Sequence, residues 1–113
     1  MILPVVLRPE ATKDAAEAID YFDALRPGLG QAFLIQLQDV LLRISGMPGI
    51  HGIVWRNVRA ARLRRFTYVV YYRVHADRLE VFAVVQGNRD AAVWQSREWT
   101  PEQAEPSDAA DSR

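Results

Sequence analysis

Between residues 50 and 97 the chain carries nine arginines (Arg56, Arg59, Arg62, Arg64, Arg65, Arg73, Arg78, Arg89 and Arg97) against Asp77, Glu80 and Asp90. That is a net charge of +6 inside a chain that is formally neutral. Arginine presents a planar fork of donors that suits phosphates and carboxylates. Such a run reads either as a solvated surface or as a face for an acidic partner, nucleic acid or an acidic protein segment. His75 shares a strand face with Tyr71 and Arg73, and histidine titrates near neutrality, so it is the candidate for proton transfer beside a bound phosphate. The plainer reading of His75 is a strand-end side chain facing solvent. His51 stands in a loop with no visible partner and reads as surface. Tyr68 and Tyr72 read as core, Tyr71 is open to either reading, and Trp55 and Trp99 read as packing or interface groups. Trp94, five residues after Arg89, is the aromatic group best placed to stack on a ligand or partner. No glycine-rich phosphate loop follows a strand, no His/Asp/Glu cluster has metal-ligand spacing, and no nucleophile elbow is present. No metal and no cofactor is expected.

A chain of 113 residues, half hydrophobic and one quarter charged, predicts one globular domain with a single modest core. Its lack of cysteine excludes disulfides and thiolate metal sites. The apolar opening, Ile2 to Leu7, is broken by Pro4, stopped by Arg8 and too short for a signal-peptide core. No segment approaches the roughly 18 apolar residues of a membrane span. The expectation is a cytoplasmic protein without membrane contact.

These residues must be positioned by a small set of elements. Ile2 to Leu7 predicts a first strand, and Pro9 suits the first turn of a helix. Ala11, Ala15, Ala18, Ile19, Phe22 and Leu25 recur at helical spacing, with Asp14, Glu17 and Asp20 on the presumed solvated face. Arg26-Pro27-Gly28 breaks that helix. Phe33, Leu34, Leu37, Leu41 and Ile44 mark a second one, ended by Ser45 to Gly49. Residues 50–58 read as loop. Three strands follow, Ala61 to Phe66, Tyr68 to His75 and Leu79 to Gln86, joined by hairpin-length turns. Strict alternation in the last places Leu79, Val81, Ala83 and Val85 on one face and Glu80, Phe82, Val84 and Gln86 on the other. A short helix is expected from Ala91 to Arg97. The fold class is therefore α+β: an N-terminal strand, a two-helix hairpin, a three-stranded antiparallel sheet and a short C-terminal helix. Residues 1–100 form the domain, and residues 101–113 are expected to be a disordered acidic tail.

The order and the local motifs resemble the RelE/ParE toxin superfamily over residues 3–97. The resemblance is carried by Arg8-Pro9-Glu10-Ala11, Pro48-Gly49, Asn57-Val58-Arg59 and the run Arg65 to Val74. Val81-Phe82-Ala83-Val84-Val85, Gly87-Asn88-Arg89-Asp90 and Trp94-Gln95-Ser96-Arg97 complete it. It implies the toxin of a type II toxin–antitoxin system, a bacterial growth inhibitor of the plasmid-stabilisation kind. Its partner would be a cognate antitoxin that wraps the domain, with a toxin–antitoxin hetero-oligomer as the resting assembly. RelE-like members are ribosome-dependent endoribonucleases that cut mRNA, whereas ParE-like members act on DNA gyrase.

The resemblance also separates the branches. RelE-like nucleases set basic residues, often lysines, where this chain has Arg62 and Arg64. They place an arginine on the next strand where Val69 stands, an arginine at the position of Arg89, and a tyrosine or similar group where Trp94 stands. Metal-free RNA cleavage needs a base, a charge stabiliser and an acid. Arginine, with a pKa above about 12, holds phosphate but accepts protons poorly. The favoured expectation is thus a toxin that works by binding gyrase, through Arg59, Arg62, Arg64, Arg65, Tyr71, Arg89, Trp94 and Arg97, which also serve the antitoxin. The alternative is a nuclease acting on the ribosome and mRNA with Arg64, Arg89 and His75. A third reading is an inactive homologue retained as an antitoxin partner.

Overall fold

The computed structural model describes residues 2–98, the last of them by its backbone alone. The expected tail lies outside the described residues. Strand β1 (Val5–Leu7) leads into helices α1 (Pro9–Leu25) and α2 (Leu29–Gly46). Strands β2 (Ile53–Trp55), β3 (Val58–Arg62), β4 (Tyr68–Val74) and β5 (Leu79–Gln86) follow, then a short helix α3 (Ala91–Gln95) and a tight turn over Ser96–Glu98. The sheet order is β1-β5-β4-β3-β2, antiparallel except for β1, which pairs parallel with β5. The antiparallel trio read from the sequence is present, with two three-residue strands added at its edges.

The helical hairpin is close-packed because its facing residues are small. The buried residues of α1 are Ala11, Ala15 and Ala18. Gly30 of α2 lies so near α1 that a β-carbon there would stand 2.5 Å from the Ile19 carbonyl oxygen. Gly28, at φ 92°, turns the chain between the helices and brings no capping side chain. Asp23 of α1 fills that role: its Oδ1 accepts from the backbone N–H groups of Gly28 (3.0 Å) and Gly30 (3.2 Å). Leu25, on the apolar stripe read from the sequence, is exposed.

The sheet is covered on both faces. Under the helices, Phe33, Leu37, Val40 and Ile44 pack against Val70, Tyr72, Leu79, Val81 and Val84. On the other face, Val58, Val69, Tyr71, Phe82, Ala83 and Val85 form a second cluster closed by Trp94 of α3. Alternation along β5 holds only as far as Val81. Tyr71 pairs with Ala83 and Tyr72 with Val81, so Phe82 is an extra residue in β5. That bulge puts Phe82 and Ala83 together in the second cluster and returns Val84 to the helices. Strict alternation assigned Ala83, Val84 and Val85 the opposite way. A strand apolar on both sides carries no pattern that could reveal the slip.

Two boundaries also differ from the sequence reading. Ile53–Trp55 was read as loop, but it pairs with β3 across the two-residue turn Arg56-Asn57. Arg56 takes a left-handed φ of 52° there, a conformation for which the sequence offers no glycine signal. β3 therefore starts at Val58 and stops at Arg62, leaving residues 63–67 as a connecting loop.

Candidate functional site

The loop between β3 and β4 is held from both sides. Leu63 donates its backbone N–H to the Tyr68 carbonyl (3.0 Å), which closes the loop at its base. From α2, the Gln36 side-chain oxygen accepts from the backbone N–H of Arg64 (3.2 Å) and Arg65 (3.1 Å). Leu63 is buried, while the side chains on either side of it, Arg62 and Arg64, are exposed together with Arg65. The turn after β5 packs beside this loop: the Gly87 N–H reaches the Thr67 carbonyl at 2.6 Å. Gly87 suits that approach: a β-carbon there would meet the Arg62 guanidinium at 3.0 Å and the Val69 side chain at 3.3 Å, and both would have to give by a few tenths of an ångström. Arg62, Leu63, Arg64, Phe66, Thr67, Gly87 and Asn88 enclose an open cleft of about 490 Å³. Arg89, exposed, follows directly.

Arg89 also lines a second cleft, of about 360 Å³, between α1 and the end of β5. Asp14 lies in that cleft. β1 ends at Leu7, so the outer edge of β5 has no strand partner further along. Asp14 occupies that edge, accepting from the Val84 N–H at 3.0 Å. Its two carboxylate oxygens also take the Arg97 guanidinium. Asp14 is therefore not on a solvated face, as helical spacing had placed it. It joins α1, β5 and the C-terminal turn.

The opposite end of the sheet is a separate polar hub around Glu80, which is buried. Arg8 Nη1 donates to Glu80 Oε2 (3.0 Å), His75 Nε2 contacts Oε1 (2.9 Å), and Arg73 Nη1 stands 3.9 Å from Oε1. Arg73 in turn donates from Nε to Asn57 Oδ1 at 3.1 Å. Burial pushes the Glu80 carboxyl up, but the His75 contact, the Arg8 bond and the Arg73 charge outweigh it and hold the group below its ordinary 4.5. The hub locks the β1–α1 junction, the β4–β5 turn and the β2–β3 turn to one carboxylate. The hydrophobic pattern could not have shown it, because Glu80 reads as one polar residue in an alternating strand.

The structure thus sorts the residues singled out from the sequence. Arg62, Arg64, Arg65 and Arg89 gather at one end of the sheet with exposed side chains. Arg59 is committed to the His51 carbonyl and Arg97 to Asp14. Tyr71 and Trp94 are buried against one another, rings stacked at 4.0 Å between centroids, with Trp55 edge-on to Trp94. Burial raises the Tyr71 hydroxyl above its ordinary value, although the Arg62 charge opposes the shift. His75 lies at the far end of β4 from the loop. It stands seven positions along the chain from Tyr68, about 23 Å at the usual rise. Arg64, Arg89 and His75 do not share a site. His51 has its pKa lowered by burial and by the Arg43 charge. Among the described residues no group of three His, Cys, Asp or Glu side chains could hold a metal ion.

A family model of the ParE toxin of the type II toxin–antitoxin system parDE matches residues 5–91. The chain belongs to this family. The ParE family is the toxin half of such systems, and this chain is accordingly a toxin–antitoxin toxin with a growth-inhibiting role. Among solved structures, the fold is similar to that of a chain from the "Chromosomal ParDE TA system from P. aeruginosa", with a TM-score of 0.58 and 14% identity. The match covers 75% of this chain and 96% of that one. No curated protein matches the chain. Among the described residues, no helix is long and apolar enough to cross a membrane.

Proposed function

We infer that this ParE-family toxin arrests growth by binding its target rather than by cutting RNA, and that DNA gyrase is the target. The observation that carries the reading is the composition of the exposed arginine end. Arg62, Arg64, Arg65 and Arg89 can grip an acidic surface or a phosphate, and among the described residues no histidine lines either of the clefts beside them. His75 is spent on Glu80 at the other end of the sheet, and Tyr71 is sealed under Trp94. Holding without proton transfer is what a binding toxin needs and what a nuclease cannot use.

The cognate antitoxin has a different surface to use. Leu42 (74% exposed) gives α2 an apolar margin beside the edge strand β1. Val5, Gln38, Leu41, Leu42 and Ser45 line a shallow groove of about 400 Å³ there. An antitoxin segment that folds on binding would bury this strip while its acidic residues reach the arginines. Cells expressing the toxin alone test the reading. Pulse labelling should show DNA synthesis failing first, with DNA-damage signalling induced. Early loss of protein synthesis with truncated mRNA would support the nuclease reading instead.

A further inference from the structure

The exposed arginine end offers charge and hydrogen-bond donors and little that is apolar. Arg62 and Arg64 line its cleft together with the exposed side chains of Thr67 and Asn88, and among the described residues no carboxylate lines it. Asp14 and Glu17 line the second cleft, where Asp14 is spent on Arg97 and Glu17 stands 4.0 Å from Lys13. Asp20 is exposed on α1 and lines neither cleft, and Asp90 caps α3 by accepting from the Ala92 N–H. The arginine loop is also held in advance, because Gln36 takes the Arg64 and Arg65 N–H groups and the Leu63–Tyr68 bond closes its base. A backbone that is already ordered has less entropy to lose on binding. Leu63 is buried and Phe66 is half-buried against Phe22 and Phe33, so this cleft presents no exposed apolar anchor among the described residues. Protein partners draw most of their affinity from such anchors. Rings that could take an unstacked base are closed off as well: Tyr71 and Trp94 stack on one another, and Tyr21, exposed on α1, lines the second cleft instead. Single strands are gripped by stacking as well as by charge. A duplex keeps its bases stacked and asks only for contacts to its phosphates.

We propose that Arg62, Arg64, Arg65 and Arg89 form a site for the phosphate backbone of duplex DNA, which the toxin uses on the DNA that its target holds. The site exists without any target protein; its use in growth arrest rests on the gyrase reading. Each guanidinium can bridge two oxygens of one phosphate. Thr67 and Asn88 add uncharged hydrogen bonds to the same backbone, which set position and do not read sequence. Four phosphate contacts give affinity a log–log salt slope of about −3.6, a fall of about 150-fold between about 50 and 200 mM salt. Such a site is weak in free solution at cellular ionic strength. On a target already loaded with DNA the contact becomes intramolecular, at an effective concentration in the millimolar range. The toxin therefore distinguishes the DNA-loaded target from the empty one.

Fluorescence anisotropy of a labelled mixed-sequence duplex, titrated with the full-length toxin over a range of salt concentrations, tests the site without gyrase. The parent should bind with a slope near −3.6. R89Q should lower the slope by about 0.9, and R62Q, R64Q and R65Q together by about 2.7, with melting temperatures unchanged. R78Q removes one charge at the β4–β5 turn, the other end of the sheet, and should leave the slope as it is in the parent. The separated strands of the duplex, and a polyglutamate peptide of matched charge, should bind more weakly at every salt concentration. Absence of binding at the lowest salt would overturn the proposal. So would an R78Q slope reduced as far as that of R89Q, or a single strand or polyglutamate held as tightly as the duplex. The gyrase reading is scored apart from this. Supercoiling inhibited by a toxin that does not bind the duplex removes the site and spares gyrase. Duplex binding by a toxin that leaves supercoiling intact spares the site and removes its use on gyrase.

Discussion

Replacing Trp94 by alanine should unfold the toxin more than it alters any contact surface. Trp94 is 5% exposed, stacks on Tyr71 at 4.0 Å and 14° between ring planes, meets Trp55 edge-on and lies 6.5 Å from Phe82. It is the buried residue of a five-residue helix, which is far too short to persist without that anchor. Truncation of a buried tryptophan costs about 3–5 kcal/mol through lost burial and the cavity left behind. Detachment of α3 would relax part of that cavity, which places the expected cost near 3 kcal/mol. For a domain of this size, 1 kcal/mol moves the melting temperature by about 4–8 °C, so a drop of roughly 12–24 °C is expected. Thermal and urea unfolding followed by circular dichroism measure it. Trp94→Phe keeps a stacking ring and should recover more than half the loss. A Trp94→Ala protein melting within about 4 °C of the parent would refute the reasoning, because α3 would then not be closing a second core.

Four further outcomes are expected. Gly30→Ala should destabilise by about 1–3 kcal/mol in urea titration despite the better helix propensity of alanine, because the new carbon meets the Ile19 carbonyl at 2.5 Å. Glu80→Gln should be less stable than the parent above pH 4.5, and the gap should narrow as pH falls below that value. The folded carboxyl is held low by Arg8, Arg73 and His75, so its stabilisation is present when it is ionised and is lost on protonation; a gap that widens in acid would contradict this. Arg89→Ala should leave the melting temperature unchanged while weakening target binding by about 10–30-fold, whereas His75→Ala should lower stability through Glu80 and retain the growth phenotype at permissive temperature. Ending the chain after Thr100 should shift the melting temperature by less than about 4 °C, because the sequence of residues 101–113 has no apolar periodicity to repay the entropy of ordering.

The framework of the fold was legible because its signals are local. Period-3.6 stripes gave both helices, Arg26-Pro27-Gly28 gave the break, and the run from Tyr68 to Gln86 gave the central hairpin. What the sequence concealed depends on tertiary partners. The bulge at Phe82 lies in a strand apolar on both faces, so no polar residue marks the change of side. β2 is three residues long and turns through Arg56-Asn57, which lacks the usual glycine. Asp14 looked solvated because helical spacing reports which face a residue is on but not that a sheet edge runs beside it. Of the candidate residues, the arginines were read as one basic module, and spacing could not say that only Arg62, Arg64, Arg65 and Arg89 gather at one end of the sheet or that His75 lies a strand length away from Arg64 and Arg89. Nor could it say that Trp94 faces inward onto Tyr71.

Supercoiling of relaxed plasmid by purified gyrase, titrated with the parent toxin and with Arg89→Ala, tests the central claim most directly. The account predicts that the parent inhibits supercoiling, that Arg89→Ala inhibits about 10–30-fold less well, and that His75→Ala behaves as the parent when folded. Undiminished supercoiling at saturating toxin, with mRNA cut on programmed ribosomes by the same preparation, would contradict it.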